Sequence, residues 1–239
     1  MNYFEMLSLA CSDVKVNFDN EKYDKFIEYM NMIKLWNEKV NLTAITEDDV
    51  IIKKHFIDCI KIFKYESLRS KCSIIDVGTG AGFPGIPMNI INNGNKIVLL
   101  DSLNKRVNFL NEVINKLNLK NITAVHGRAE DFGQDVNYRE RFDFSISRAV
   151  ANLTSLSEYC LPFLKLNGKF IAMKGPAVTD EINDSRNAIA VLGGSLEKII
   201  EVNIEDSDLK HNLVIIEKIK HTPKQYPRKA GMATKKPIK

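Results

Sequence analysis

One junction constrains this chain more than any other. The run Ser73-Ile-Ile-Asp-Val77 is short and mostly apolar, which predicts a buried strand. It breaks at once into Gly78-Thr-Gly-Ala-Gly82-Phe-Pro-Gly85. A strand that empties into so many glycines must turn sharply, and the bare backbone can approach a ligand closely. Pro84 and Pro87 then stand where a helix would begin, positions at which proline pre-forms the first turn.

From that junction onward short strands alternate with helices. Lys96–Asp101, Ile122–His126, Phe142–Ser147 and Phe170–Met173 are the expected strands. Helices are expected over 84–92, along the face Leu103, Val107, Leu110, Ile114 and Leu117, and near 152–160 and 178–191. Such alternation implies a parallel sheet with helices on both faces. Ser195–Ile204 and Asn212–Ile219 leave no room for a helix between them, so they should pair antiparallel across a short acidic loop. The first seventy residues read as helices instead, with apolar sets at Tyr23, Phe26, Ile27, Met30, Ile33 and at Val50, Phe56, Ile57, Ile60, Phe63; Trp36–Thr43 between them reads as a polar turn. The prediction is an α/β fold, a Rossmann-like and mostly parallel sheet closed by an antiparallel hairpin. Its divisions are a helical cap over 1–70, a nucleotide-binding domain over 71–220 and a basic tail over 221–239.

Composition narrows the classes. No apolar run reaches the roughly 18 residues of a membrane span. The start, MNYFEMLSLACSD, lacks the basic segment of a secretory signal, so none is expected. Cys11, Cys59, Cys72 and Cys160 are widely spaced and predict buried thiols, neither disulfides nor a metal site. The net charge of +4 is unevenly distributed: residues 1–217 hold 26 basic and 30 acidic side chains, and residues 218–239 hold eight basic and none acidic. With Tyr226 and Pro223, Pro227 and Pro237 interleaved, that tail should be extended and suited to a polyanion, Arg228 and Lys229 being candidate phosphate contacts.

The glycine loop fits two patterns, Gly80-Ala-Gly-Phe-Pro-Gly85 as G-x-G-x-x-G and Gly78-Thr-Gly-Ala-Gly82 as G-x-G-x-G. A dinucleotide needs N–H groups at the helix start for its pyrophosphate, and two prolines remove such donors. S-adenosylmethionine has no phosphate and asks little of that turn. Asp101, at the end of the second strand, is placed to accept ribose hydroxyls. Arg128, Arg148 and Lys174 each end a strand, where such sheets do their chemistry, and together predict a site for an anionic substrate and the cofactor carboxylate, with Arg128 and Lys174 the candidate catalytic residues. No cysteine is set as a nucleophile for C5-pyrimidine methylation, and the Asn/Asp-Pro-Pro-aromatic loop of amino methyltransferases is replaced by Ser145-Ile-Ser-Arg148. Guanine N7 needs neither device, because its lone pair is unprotonated and in the ring plane. A non-catalytic RNA-binding module, an NAD(P)-dependent oxidoreductase and a small-molecule methyltransferase are the competing readings.

The motifs Trp36-Asn37, Asn41-Leu-Thr-Ala-Ile45, His55-Phe-Ile-Asp58, Asp76–Pro87, Leu100–Arg106, Gly127-Arg-Ala-Glu130, Ser147-Arg-Ala149, Met173-Lys-Gly175 and Tyr226–Gly231 resemble the RsmG (GidB) family of bacterial small-subunit ribosomal RNA methyltransferases. The resemblance runs nearly end to end. It implies methyl transfer from S-adenosylmethionine to N7 of a guanosine in the 530 loop of 16S rRNA, by a cytoplasmic monomer. By position it implies that Gly78, Gly80 and Phe83 line the cofactor site, that Ala129 and Glu130 flank the adenine, and that Arg148 lies nearby. Arg128 then falls to the active site or to RNA, and Lys210-His211 to RNA; the lysine departs from the family's usual arginine. His55 and Asp58, three apart on a helix, are expected to tie the cap to the sheet, and Trp36 to be core. Removing the tail after Lys220 should weaken RNA binding and leave cofactor affinity unchanged.

Overall fold

The computed structural model describes residues 1–148, 151–204 and 210–239. Ala149 of the Ser147-Arg-Ala149 motif, Val150 and the acidic loop at 205–209 lie outside the described residues.

The cap is built from α1 (Tyr3–Asp13), α2 (Asn20–Val40) and a continuous stretch in which α3 (Asp48–Ile51) passes through a π-helical segment, Ile52–Ile57, into α4 (Asp58–Ile60). Strand β1 (Ser73–Val77) and the glycine turn lead to α5 (Gly85–Ile91). Then follow β2 (Lys96–Asp101), α6 (Asn104–Lys116), β3 (Ile122–His126), α7 (Ala129–Phe132), β4 (Phe142–Arg148) and α8 (Leu153–Cys160). The remaining elements are β5 (Leu164–Lys174), α9 (Thr179–Val191), β6 (Gly194–Asn203), β7 (Lys210–Lys218) and α10 (Met232–Lys235). The strands form one sheet in the order β3-β2-β1-β4-β5-β7-β6. Strands β1 to β5 pair parallel, and β7 pairs antiparallel with both β5 and β6. The chain therefore crosses from one wing of the sheet to the other between β1 and β4, the place where ligands of open α/β sheets bind.

The period of two along each strand divides the core. Ile74, Leu99, Ile146, Ile171 and Ile215 face the cap, α5 and α6, in an apolar cluster that continues into Phe26, Tyr29, Phe56 and Phe63. Ile75, Leu100, Phe170, Ala172 and Ile216 face the other way, against α8 and α9. The cap shares the sheet's core, so the change at residue 70 is one of secondary structure and the apolar packing crosses it.

Three expectations are corrected here. Helix α2 runs through Trp36 to Val40 and ends at Asn41 in the left-handed region, φ 49°. Trp36 packs on Phe109 of α6 and donates its indole N–H to Glu112, 3.2 Å away, a tertiary contact that overrides the polar local sequence. Strand β5 begins at Leu164; its start is hidden in the sequence by the exposed Lys165, Leu166 and Asn167. The tail is a docked strap. Arg139 donates to the carbonyls of Thr222 and Tyr226 at 2.7 Å each, Gln134 to that of Pro227 at 2.9 Å, and Ser155 to that of Ala233 at 3.0 Å. Lys218 at its root is buried, donating to Leu161 O and Thr222 Oγ1, and burial lowers its pKa to about 8.

Candidate active site

The carboxyl ends of β1 to β5 open onto a crevice made of three adjoining cavities of about 180, 360 and 430 Å³. Gly78 and Ser102 line both the first and the second; His55 and Arg148 line both the second and the third. One groove thus runs along the sheet's top edge, across the crossover between β1 and β4.

The glycine turn forms its floor. Gly78, Gly80 and Gly82 have φ of 72°, 62° and 98°. A Cβ at Gly80 would meet nothing within 4 Å, whereas one at Gly82 would lie 2.4 Å from Ile86. Gly80 therefore faces open space and Gly82 packs. The Tyr29 hydroxyl donates to Ala81 O and ties the cap to the turn. Asp76 braces it from within: its Oδ2 accepts from the Thr79 hydroxyl at 2.7 Å and from Gly85 N–H at 2.9 Å. Complete burial lifts the Asp76 carboxyl to about 7, and among the described residues its Oδ1 has no hydrogen-bond partner. Asp101 supports the turn from the neighbouring strand, Oδ2 accepting Gly80 N–H and Oδ1 accepting Leu103 N–H, both at 2.9 Å. The Arg106 guanidinium lies 3.7 Å from Oδ2, and Asp101 and Arg106 both line the middle cavity.

The narrow end is walled by Arg128, Ala129, Glu130 and Tyr159. Arg128 is exposed; its carbonyl accepts Asp131 N–H at 3.2 Å and Phe132 N–H at 3.1 Å, and among the described residues its side chain makes no hydrogen bond or ion pair. The Glu130 side chain is turned toward the strap, where its Oε1 accepts Gly231 N–H at 3.0 Å.

The wide end joins sheet to cap. Arg148 donates from NH1 to Asp58 Oδ2 at 3.0 Å and to Lys54 O at 3.1 Å, and its NH2 lies 3.3 Å from His55 Nδ1. Its guanidinium sits over the Phe83 ring at 4.8 Å, a cation–π contact. His55 Nδ1 also lies 3.1 Å from Lys54 O, and Nε2 lies 3.0 Å from Thr43 Oγ1; a guanidinium only donates and a carbonyl only accepts, so Nδ1 hydrogen-bonds one of Arg148 and Lys54 at a time. Burial, and then Arg148, lower the His55 pKa to about 4, keeping the ring neutral. The other oxygen of Asp58 takes His211 Nδ1–H at 2.6 Å, and that hydrogen bond raises the His211 pKa. His55 and Asp58 join cap to sheet as expected while also lining the largest cavity. Lys174 lines it as well, with its ammonium turned to Ala151 O and Glu181 Oε1, 2.7 Å each.

The structure thus gathers Gly78, Gly80, Phe83, Asp101, Arg128, Ala129, Glu130, Arg148, Lys174 and His211 around one groove. Lys210 is exposed at the start of β7, beside His211. Lys229 is exposed on the strap, but Arg228 is not available to solvent in the same way. Its Nε and NH2 hold the buried Glu158 carboxylate at 2.9 and 2.6 Å, and its backbone N–H adds a third contact at 2.8 Å. Arg228, expected to meet phosphate, is ion-paired with Glu158 and keeps a partly exposed side chain. Thr43, Ser102, Arg106 and Tyr159 also line the groove, beyond the residues expected from sequence; Ser102 directly follows β2 and Thr43 lies in the Asn41–Ile45 motif, so position is the signal for both.

Comparisons with known proteins agree with this architecture. Residues 22–211 match the profile of the family described as "GidB: rRNA small subunit methyltransferase G". The chain is similar to the ribosomal RNA small subunit methyltransferase G of Clostridium tetani, 59% identical with both chains covered completely, and to that of Clostridium perfringens, 58% identical with the same coverage. Among solved structures it is similar in fold to M. jannaschii TYW2 in complex with AdoMet, with TM-score 0.50, 17% identity, and 66% of this chain and 76% of that one covered.

Proposed function

Because the chain belongs to the rRNA small subunit methyltransferase G family, we propose that it transfers a methyl group from S-adenosylmethionine to N7 of a guanosine in the 530 loop of 16S rRNA, acting in the cytoplasm as a monomer. The observation that carries this reading is the single groove with two unlike ends, a narrow one on the glycine turn and a wide one edged by cationic groups. The open space at Gly80 and the Asp101 carboxylate lining the same cavity suit a nucleoside and its hydroxyls.

When bound, S-adenosylmethionine would supply an electrophilic methyl carbon to the N7 lone pair, the carbon–sulfur electrons remaining with sulfur. The positive charge passes from sulfur to the guanine ring, and no proton has to move. The protein's work is therefore alignment and exclusion of water. Gly78, Gly80 and Asp101 would hold the cofactor's middle, and Ala129 and Glu130 would flank its adenine. Phe83, pinned under Arg148, and the neutral His55 shape the wall where the base enters. Pairing Arg148 with Asp58 keeps that wall from opposing the positive charge as it arrives on the base. Arg128, Lys210 and Lys229 are placed for phosphates, and Lys174 orders the rim through Glu181.

The test uses small subunits from cells lacking the gene, incubated with the protein and methyl-labelled S-adenosylmethionine, with the RNA then cleaved chemically at 7-methylguanosine. One new cut in the 530 loop is expected. Label without a cut moves the target atom, and cofactor binding without label makes the chain an RNA-binding module.

A further inference from the structure

The strap runs along the narrow end of the groove and reaches two of its wall elements. Gly231 N–H binds Glu130 Oε1 at 3.0 Å, and Glu130 lines that cavity. Arg228 grips Glu158, and the next residue along α8, Tyr159, lines the same cavity. Ser155, one turn earlier on α8, donates to Ala233 O at 3.0 Å. The strap therefore holds both α8 and the Glu130 side chain, and Tyr159 of that helix and Glu130 both line the cavity. The route is fixed upstream as well. Pro227 packs so tightly on Gly133 that a Cβ there would lie 2.7 Å from the ring, and Arg139 and Gln134 hold the carbonyls on either side. Lys218 anchors the root, fully buried.

We propose that residues 221–235 complete the nucleoside end of the groove, with Arg228 and Gly231 as positioning residues that set the separation of Glu130 and Tyr159, so that this segment governs cofactor affinity in addition to any phosphate contact made by its exposed lysines. The inference rests on the groove being a S-adenosylmethionine site. It replaces the expectation that loss of the tail leaves cofactor affinity unchanged. Arg228 acts through Glu158 and the helix behind the wall; Gly231 acts directly on the Glu130 carboxylate. Gly231 sits at φ 80°, and a Cβ there would meet nothing within 4 Å, so an alanine strains the backbone without a clash.

Calorimetric titrations of the full-length protein with S-adenosylmethionine and with adenosine test this, using Arg228→Ala, Gly231→Ala and, as a neighbouring control, Lys229→Ala, with rRNA affinity and melting temperature measured in parallel. Arg228→Ala and Gly231→Ala should weaken both ligands alike by about tenfold, a change of about 1.4 kcal/mol, while turnover at saturating cofactor stays within about twofold. Lys229→Ala should leave both titrations unchanged. Unaltered cofactor affinity in Gly231→Ala, or a defect confined to rRNA binding, overturns the proposal, and Gly231→Ala decides the matter if Arg228→Ala does not fold. A wild-type protein that binds neither ligand overturns the functional reading itself, a different result from a strap that does not matter.

Discussion

Arg148 and Arg228 solve the same problem on opposite faces of the sheet. Each neutralises a carboxylate with almost no exposure, Asp58 at 4% and Glu158 at 2%. Their surroundings differ. Arg148 spreads its donors over Asp58, Lys54 and His55 and lies on Phe83, and it lines two of the three cavities. Arg228 gives two side-chain donors and its own backbone N–H to one carboxylate, and lines none of the three. The first pair is a wall of the groove that also fastens the cap. The second sits behind the wall and reaches the groove only through its neighbours. A buried ion pair near a site can thus be part of the surface a substrate meets or part of the frame that holds the surface still.

The sharpest way to break this contrast is to remove each arginine. Arg148→Met leaves Asp58 with His211 alone and should cost about 3–5 kcal/mol in urea unfolding, with loss of methylation. Arg228→Ala leaves Glu158 its backbone N–H and should cost about 1–3 kcal/mol. Equal costs in the two variants would erase the distinction.

The two histidines beside Arg148 sharpen it through pH, since they titrate in opposite senses. The folded pKa of His55 is lowered to about 4, so its contribution is complete above its ordinary value of about 6.5 and is lost as pH falls toward 4, by up to about 3 kcal/mol. The folded pKa of His211 is raised by Asp58, so its contribution is complete below about 6.5 and is lost as pH rises through the folded value. Stability difference curves for His55→Gln and His211→Asn between pH 4 and 9 should therefore slope oppositely. The smallest effect belongs to the exposed Lys229: its alanine variant should change stability by less than about 0.5 kcal/mol and reduce the salt dependence of rRNA binding by about one unit of slope.

Much of this could be read from residues in order. Strands β1 and β2 fall on their predicted ranges because buried parallel strands are short apolar runs bounded by turns; β3, an edge strand in which only Ile122 is buried, also falls on its range. The groove residues were legible for a related reason. Gly78, Asp101, Arg128, Arg148 and Lys174 lie at or just after consecutive parallel strands, and parallel strands bring their carboxyl ends to one edge. What stayed hidden depends on distance along the chain. Asp58 meets His211 across 153 positions and Glu158 meets Arg228 across 70. Nothing local marks either pairing, although Glu158 is a lone acid in a helix otherwise of apolar, hydroxyl and cysteine side chains. The strap's prolines and lysines read as a solvated arm because composition cannot show that Arg139, Gln134 and Glu140 wait on the sheet side to hold it.

The strap's place in the chain bears on when this protein becomes competent. It follows every described strand, so translation produces the sheet, its glycine turn and both histidines before Arg228 and Gly231 exist as residues. A nascent chain can fold around its apolar core and still present a groove whose narrow end is unfinished. The last contacts to form, at Glu158 and Glu130, are then the ones that ready it for a nucleoside, and the protein reaches that state only once the segment beyond β7 has left the ribosome that made it.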